Sequence, residues 1–160
     1  MTPLDAETRA AERPEEHKEE LRLWLRMLTC TTLVEAEVRR RLRTEFALTL
    51  PRFDLMAQLE RAPAGLTLGE LSRRLMVSNG NVTGLVERLT EAGQVERVPH
   101  PVDRRVVHVR LTPAGRAAFA GMAHAHAGWI GELFGALSPD ELRQLMGLLG
   151  RVKQSVREVG

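Results

Sequence analysis

Two short segments near the middle of the chain carry side chains whose types and spacing suit recognition of a polyanion. The first is Ser78-Asn79-Gly80-Asn81-Val82-Thr83-Gly84. It sets Ser78, Asn79, Asn81 and Thr83, all short polar groups, close together, and an asparagine amide can address the edge of an adenine bidentately. Gly80 and Gly84 each cost about 1 kcal/mol of helix propensity against alanine. Such a cost fits a place where the backbone must approach another molecule closely. The second segment, Asp103-Arg104-Arg105, puts two guanidinium forks side by side. Guanidinium suits phosphate, and it is drawn to the concentrated negative potential of a narrow minor groove. Arg73, Arg74 and Arg88 lie around the first segment and are candidates for phosphate contacts, which position a module without specifying sequence.

The neighbouring sequence supplies elements that would hold these groups. Thr67 and Glu70 form a capping-box pattern that opens a helix from Leu68 to Leu75. Met76 and Val77 leave room only for a tight connection, and Ser78 then caps a second helix with Val82, Leu85, Val86 and Leu89 as its buried stripe. Gly93 stops it. Two short helices joined this way form a helix-turn-helix, whose second helix enters the major groove with its first turns on the base edges. A change of period follows. Val95, Arg97 and the run Val106 to Leu111 alternate as two strands, joined by the turn-prone Pro99 to Arg104. Asp103 is expected to hydrogen-bond the returning backbone or Arg105, so that Arg104 projects from the tip. The candidate DNA-contacting residues are therefore Thr67, Arg73, Arg74, Ser78, Asn79, Asn81, Thr83, Arg88, Asp103, Arg104 and Arg105.

Long helices are expected on both sides. Glu16 to about Glu45 reads as one helix, with an apolar stripe of Leu21, Trp24, Leu25 and Leu28 that resumes, slightly rotated, at Val34, Val38, Leu42 and Phe46. Pro51 fits the first turn of a short helix bearing Phe53, Leu55, Met56 and Leu59. Thr112-Pro113 opens another from Ala114 to about Phe134, and Ser138-Pro139-Asp140-Glu141 opens the last, with Leu142, Leu145, Met146, Leu149, Val152 and Val156. The expected fold is mainly α with a small β wing, a winged helix-turn-helix flanked by a helical dimerisation region from the N- and C-terminal helices. Residues 1–160 then form one domain. It comprises a flexible acidic segment 1–15, dimerisation helices 16–48 and 113–158, and a DNA-binding lobe 50–112.

Composition narrows the class. Apolar residues make up 43% of 160 residues, no run is long enough to span a bilayer, and the acidic start lacks the apolar core of a signal peptide. We expect a cytoplasmic protein with no membrane partner. The net charge is only +2, but Met1 to Glu20 holds seven acidic and three basic residues, so the remainder is distinctly basic. Arginine provides nearly all of that charge, Lys18 and Lys153 being the only lysines. The single cysteine, Cys30, forms no intrachain disulfide and fits a reducing compartment. No catalytic set assembles. There is no phosphate-cradling glycine loop and no serine elbow. His124 and His126, two apart on a helix, face different ways and make a poor zinc pair, so neither a metal site nor a resident cofactor is expected. A winged helix that docks protein rather than DNA is the alternative, since Glu87 and Glu91 offset Arg88.

The ordered combination resembles the MarR family of bacterial regulators. It rests on Leu50-Pro51-Arg52-Phe53, Leu68-x-x-Leu71, Val82-Thr83-x-Leu85-Val86-x-x-Leu89, Gly93-x-Val95-x-Arg97, the Asp103-Arg104-Arg105 wing and Leu111-Thr112-x-x-Gly115. The resemblance implies a homodimer on a near-palindromic operator, commonly a repressor released by a small molecule. It matches Ser78 to Arg88 to the family's reading helix and Asp103 to Arg105 to its wing. Some relatives sense peroxide through a first-helix cysteine paired with tyrosines. This chain has no tyrosine, and Cys30 lies about two turns beyond that place, so a buried structural cysteine is expected. Three stretches, Leu21 to Arg26, Glu35 to Leu42 and Thr49 to Met56, look like the branch that responds to hydroxycinnamoyl-CoA thioesters. On that reading Trp24, Met27, Phe53 and Met56 line an apolar pocket, unless Trp24 and Phe53 simply fill a core, and Arg39 and Arg43 meet the phosphates. A free aromatic or phenolic acid is the alternative effector.

Overall fold

The computed structural model describes residues 17–160. The acidic segment 1–15 and Glu16 lie outside the described residues. Among the described residues the first helix, α1 (Lys18–Phe46), has Glu19 and Glu20 in its first turn and Arg43 in its last, the charge order that favours a helix dipole. It ends in an αL cap: Ala47, at φ 50°, donates its N–H to the Arg43 carbonyl, and Leu48 donates to Leu42. Then come α2 (Leu50–Glu60), β1 (Leu66–Thr67), α3 (Leu68–Leu75), α4 (Asn79–Glu91), β2 (Val95–Pro99), β3 (Val107–Leu111), α5 (Pro113–Leu133) and α6 (Pro139–Val159).

The sheet has three strands rather than the two expected from alternation. All pairs are antiparallel in the order β1-β3-β2, with Leu66 opposite Val109 and Val95 opposite Leu111. The extra strand is only two residues long, too short to show a period in the sequence. Glu96 and Arg110 face each other across β2 and β3 and pair at 2.7 Å.

Two compact units divide the chain, 1–126 and 127–160. In the first, Leu42, Leu55, Met56, Leu59, Leu71, Val82, Val86 and Val109 are completely buried. Burial of each such side chain is worth about 1.5–3 kcal/mol relative to exposure. Phe53 stacks on Phe119 at 5.4 Å and on His126 at 5.0 Å, joining α2 to α5. The start of α5 is pinned to the turn after α4. Thr112 Oγ donates to the Gly93 carbonyl and accepts from the Gly115 N–H, and Gly93 itself takes φ +72°. A Cβ on Gly115 would stand 1.8 Å from the Gln94 carbonyl oxygen, so only glycine fits there. In the second unit Trp129 is buried, whereas α6 buries none of its residues.

Candidate nucleic-acid interface

The helix-turn-helix is built by local hydrogen bonds. Thr67 Oγ accepts the Glu70 N–H at 3.1 Å, and the Glu70 carboxylate accepts the Thr67 N–H at 2.7 Å. These bonds hold the Glu70 carboxyl below its usual range, the backbone bond from Thr67 contributing most. At the other end of α3, Met76 adopts φ 56°. Ser72 Oγ donates to the Val77 carbonyl while the Val77 N–H returns to Ser72. The connection is thus only two residues long, and Ser78 caps α4 by accepting the Asn81 N–H at 3.3 Å.

This cap fixes which way α4 faces. Val82, Val86 and Leu89 turn into the core, while Ser78, Asn79, Gly80, Asn81, Glu87 and Arg88 are exposed. Leu85, expected in the buried stripe, is only half-buried. It lines an open cleft of about 340 Å³ with Thr49, Pro51, Arg52, Val77, Gly80, Asn81, Gly84 and Arg88. Among the described residues, a Cβ added at Gly80 or Gly84 would meet nothing within 4 Å. Packing inside the chain therefore gives no reason for either glycine. The side-chain amides of Asn79 and Asn81 make no hydrogen bond to any described residue, whereas Thr83 Oγ already donates to the Asn79 carbonyl at 2.9 Å. Arg73 and Arg74 are exposed in the last turn of α3.

At the wing tip Asp103 does what its place suggests. Its carboxylate accepts from the Arg105 N–H and from that residue's guanidinium, both at 3.1 Å. The Arg105 side chain, followed by its backbone N–H, holds Asp103 below the ordinary carboxylate range. Arg104 is exposed with no partner among the described residues. The tip therefore offers one free guanidinium and one tethered one. No composition or periodicity signal marks His100 as a functional residue. His100 Nδ1 accepts the N–H groups of both Val102 and Asp103.

The residues assigned to an effector are scattered. Phe53 and Met56 are 6% and 0% exposed, so core neighbours already cover them. Trp24 is 53% exposed, against the alternative that it fills a core, and Met27 is half-buried. Arg39 sits 3.8 Å from Glu35; Arg43 is exposed. Between them Arg40 and then Arg41 hydrogen-bond Glu37 and lower its carboxyl to about 2. Asp54, beside Phe53, was not singled out from the sequence. Partial burial raises its carboxyl above the usual range, nearby Glu35 adds to this, and His126 and Arg39 oppose it. Cys30, expected to be buried, is exposed. The apolar stripe of α1 over its first three turns faces outward in the single chain, with Leu21, Trp24 and Leu28 open as well.

A model described as the MarR family matches residues 48–107. A solved MarR-family transcriptional regulator from Silicibacter pomeroyi is 35% identical, with a TM-score of 0.75 over 90% of this chain and 99% of its own. The chain belongs to the MarR family. The transcriptional regulator PecS from Dickeya dadantii is 31% identical over 113 residues, 69% of this chain and 68% of PecS. A cysteine mutant of MarR from E. coli, solved in complex with operator DNA, is 27% identical, with a TM-score of 0.71 over 86% of this chain and 98% of its own. MarR-family proteins are DNA-binding regulators rather than enzymes. Among the described residues no group of three or more His, Cys, Asp or Glu side chains could hold a metal ion, and no helix is long and apolar enough to cross a membrane.

Proposed function

We propose that this chain is a homodimeric transcriptional repressor whose winged lobe, 50–112, reads a near-palindromic operator. On this reading the helices in 16–48 and 113–158 join two copies. The observation that carries it is the outer face of α4: two glycines with open space around them, two asparagine amides without partners, and a free guanidinium at the adjacent wing tip. Asn79 and Asn81 would contact base edges, Arg104 would enter the minor groove, and Arg73, Arg74 and Arg88 would contact phosphates. The solved complex of the E. coli relative with operator DNA supports the assignment. The test is fluorescence titration of operator-length duplex against random duplex at several salt concentrations. Affinity that falls steeply with salt for both, with a sequence-dependent difference retained, is expected. Equal affinity for both, or no salt dependence, would leave the protein-docking alternative.

The effector on this reading is a hydroxycinnamoyl-CoA thioester, taken up by α1 and α2. Exposed Trp24 and half-buried Met27 offer an apolar region, and Arg39 and Arg43, one turn apart, offer guanidinium groups to phosphate. A second reading, a free aromatic acid, is favoured by the ion pairs of α1, since Glu35 and Glu37 already engage Arg39, Arg40 and Arg41. Calorimetry with p-coumaroyl-CoA, p-coumarate and CoA alone, repeated with Arg43→Ala, separates them. The thioester reading requires tight binding of p-coumaroyl-CoA that weakens in the variant. Tight binding of p-coumarate alone selects the second reading.

A further inference from the structure

The tip of the wing is shaped by one imidazole. His100 follows the last residue of β2, and its N–H bonds the Val106 carbonyl at 2.8 Å, closing the base of the loop. The loop folds back over the ring, and both the Val102 and Asp103 N–H groups point at Nδ1 at 3.2 Å. A backbone N–H can only donate, so Nδ1 must keep its lone pair and any ring proton must sit on Nε2. The Asp103 held in this way then clamps Arg105 through its carboxylate. Arg104 is exposed and lies between the braced residue and the clamped one, so its backbone is held on both sides.

Protonation at Nδ1 would turn the shared acceptor into a third donor facing two donors. Imidazole is the side chain that makes this change between pH 5 and 8. The charged and titratable groups around His100 are few. Asp103 and, through it, Arg105 belong to the tip, and His108 of β3 stands edge-on with ring centroids 4.9 Å apart. Behind His108, Glu70 of α3 is close enough to feel its charge. Both carboxyls lie below their ordinary range, Asp103 chiefly through the Arg105 side chain and Glu70 chiefly through the Thr67 backbone N–H. Both carboxylates therefore stay charged across that window.

We infer that His100 is the positioning residue of the wing, holding Arg104 in its projecting geometry only while Nδ1 is unprotonated, so that sequence-selective DNA binding falls as the solution turns acidic. The inference deepens the DNA-reading function proposed above and rests on it. A protonated histidine near DNA would by itself raise affinity for any duplex, so the quantity that isolates the brace is the ratio of operator to random-duplex affinity.

The experiment uses the full chain and has two arms. In the first, without DNA, NMR follows the His100 ring nitrogens and the Val102 and Asp103 amides from about pH 8 to about pH 5.5, the span over which imidazole changes charge. An unprotonated Nδ1 at the upper end, and amides that shift with the same midpoint as the ring, are expected. A proton on Nδ1 at the upper end, or amides indifferent to the ring, would overturn the brace. In the second arm, the selectivity ratio should fall about three- to tenfold on acidification, the loss that one or two ordinary hydrogen bonds correspond to. His100→Asn, whose amide oxygen can accept the same N–H groups, should keep a high, flat ratio; His100→Ala should give a low, flat one. His108→Gln should leave the pH response in place. The same fall in His100→Asn as in the parent, or its disappearance in His108→Gln, would overturn the proposal. A chain that binds no duplex at any pH would sink the DNA-reading function, while the NMR arm still decides the brace.

Discussion

Helices α4 and α6 begin in the same way and end in opposite situations. Both are capped by a serine whose Oγ accepts the N–H three residues on, Ser78 from Asn81 and Ser138 from Glu141. The cap of α6 is the more complete, with a reciprocal Glu141 carboxylate and a proline in its first turn. Yet α4 turns Val82, Val86 and Leu89 wholly into a core, while α6 leaves Leu142, Leu145, Met146, Leu148, Val152 and Val156 exposed. Caps and periodicity make a helix and define its apolar face; they do not say what covers that face. A face of this size on a single chain marks an interaction surface. In our reading α6 meets a second copy of the chain, whereas the apolar side of α4 needs nothing further.

That contrast breaks if α6 tolerates charge. Leu145→Asp combined with Val152→Asp should place two carboxylates in the proposed dimer interface. Each buried charge without a partner costs about 3–5 kcal/mol, enough to convert the dimer to monomer. Sedimentation at low micromolar concentration should show the change, and the dependence of unfolding midpoint on concentration should vanish. An unchanged dimer would mean that α6 is not the interface.

On α4 the corresponding substitution acts within one chain. Leu89 is 1% exposed, and Leu89→Ala should lower unfolding stability by about 2–5 kcal/mol through lost transfer energy and a residual cavity. Unlike the α6 change, this loss should be measurable by denaturant at any protein concentration. A cost below 1 kcal/mol would mean that the core beneath the reading helix collapses readily, contrary to its close packing.

The outer face of α4 and the wing should separate specificity from anchoring. Asn81→Ala should cost about 1–3 kcal/mol on the cognate operator and much less on random duplex, by removing a base-edge contact. Its fold should survive, because the Ser78 cap uses the Asn81 backbone N–H and not its amide. Arg104→Ala should weaken binding chiefly where the flanking sequence is A·T-rich, since a narrow groove draws arginine most strongly. Equal losses on both duplexes for Asn81→Ala would assign that residue a structural role.

What could be read in advance divides along the same line. The Thr67–Glu70 and Ser138–Glu141 capping boxes, the Ser78 cap and the Asp103–Arg105 clamp all join residues within three positions, so residue type and spacing contain them. β1 was missed because Leu66 and Thr67 owe their strand to Val109 and His108, more than forty residues away. Cys30 is exposed rather than buried, because the lack of a tyrosine partner argues against a sensor and does not supply neighbours to cover the thiol. The proposed effector residues lie apart within a single chain, partly for reasons of length. Trp24 and Arg39 lie fifteen residues apart on α1, about 22 Å at 1.5 Å per residue, while Phe53 and Met56 had already gone into the core. His100 escaped notice because a side chain accepting two backbone N–H groups depends on the path of the turn, which neither composition nor periodicity encodes.

The smallest effect tests the turn between α3 and α4, where the structure is most local. Met76 adopts φ 56° and is 91% exposed. A left-handed conformation costs an L-residue about 1–2 kcal/mol, and a side chain this open gives little back in packing. Met76→Gly removes that strain but adds backbone freedom to the unfolded chain, about 0.5–1 kcal/mol in the other direction. The net expectation is a gain of about 0.5–1 kcal/mol in thermal or denaturant unfolding, with Met76→Ala close to neutral because alanine carries the same left-handed penalty. Both variants should keep operator affinity, since neither alters the cap at Ser78 nor the amides of Asn79 and Asn81. If Met76→Gly and Met76→Ala both lose affinity while stability follows this pattern, the exposed methionine itself contacts DNA. The interface would then extend from the reading helix onto the turn that precedes it.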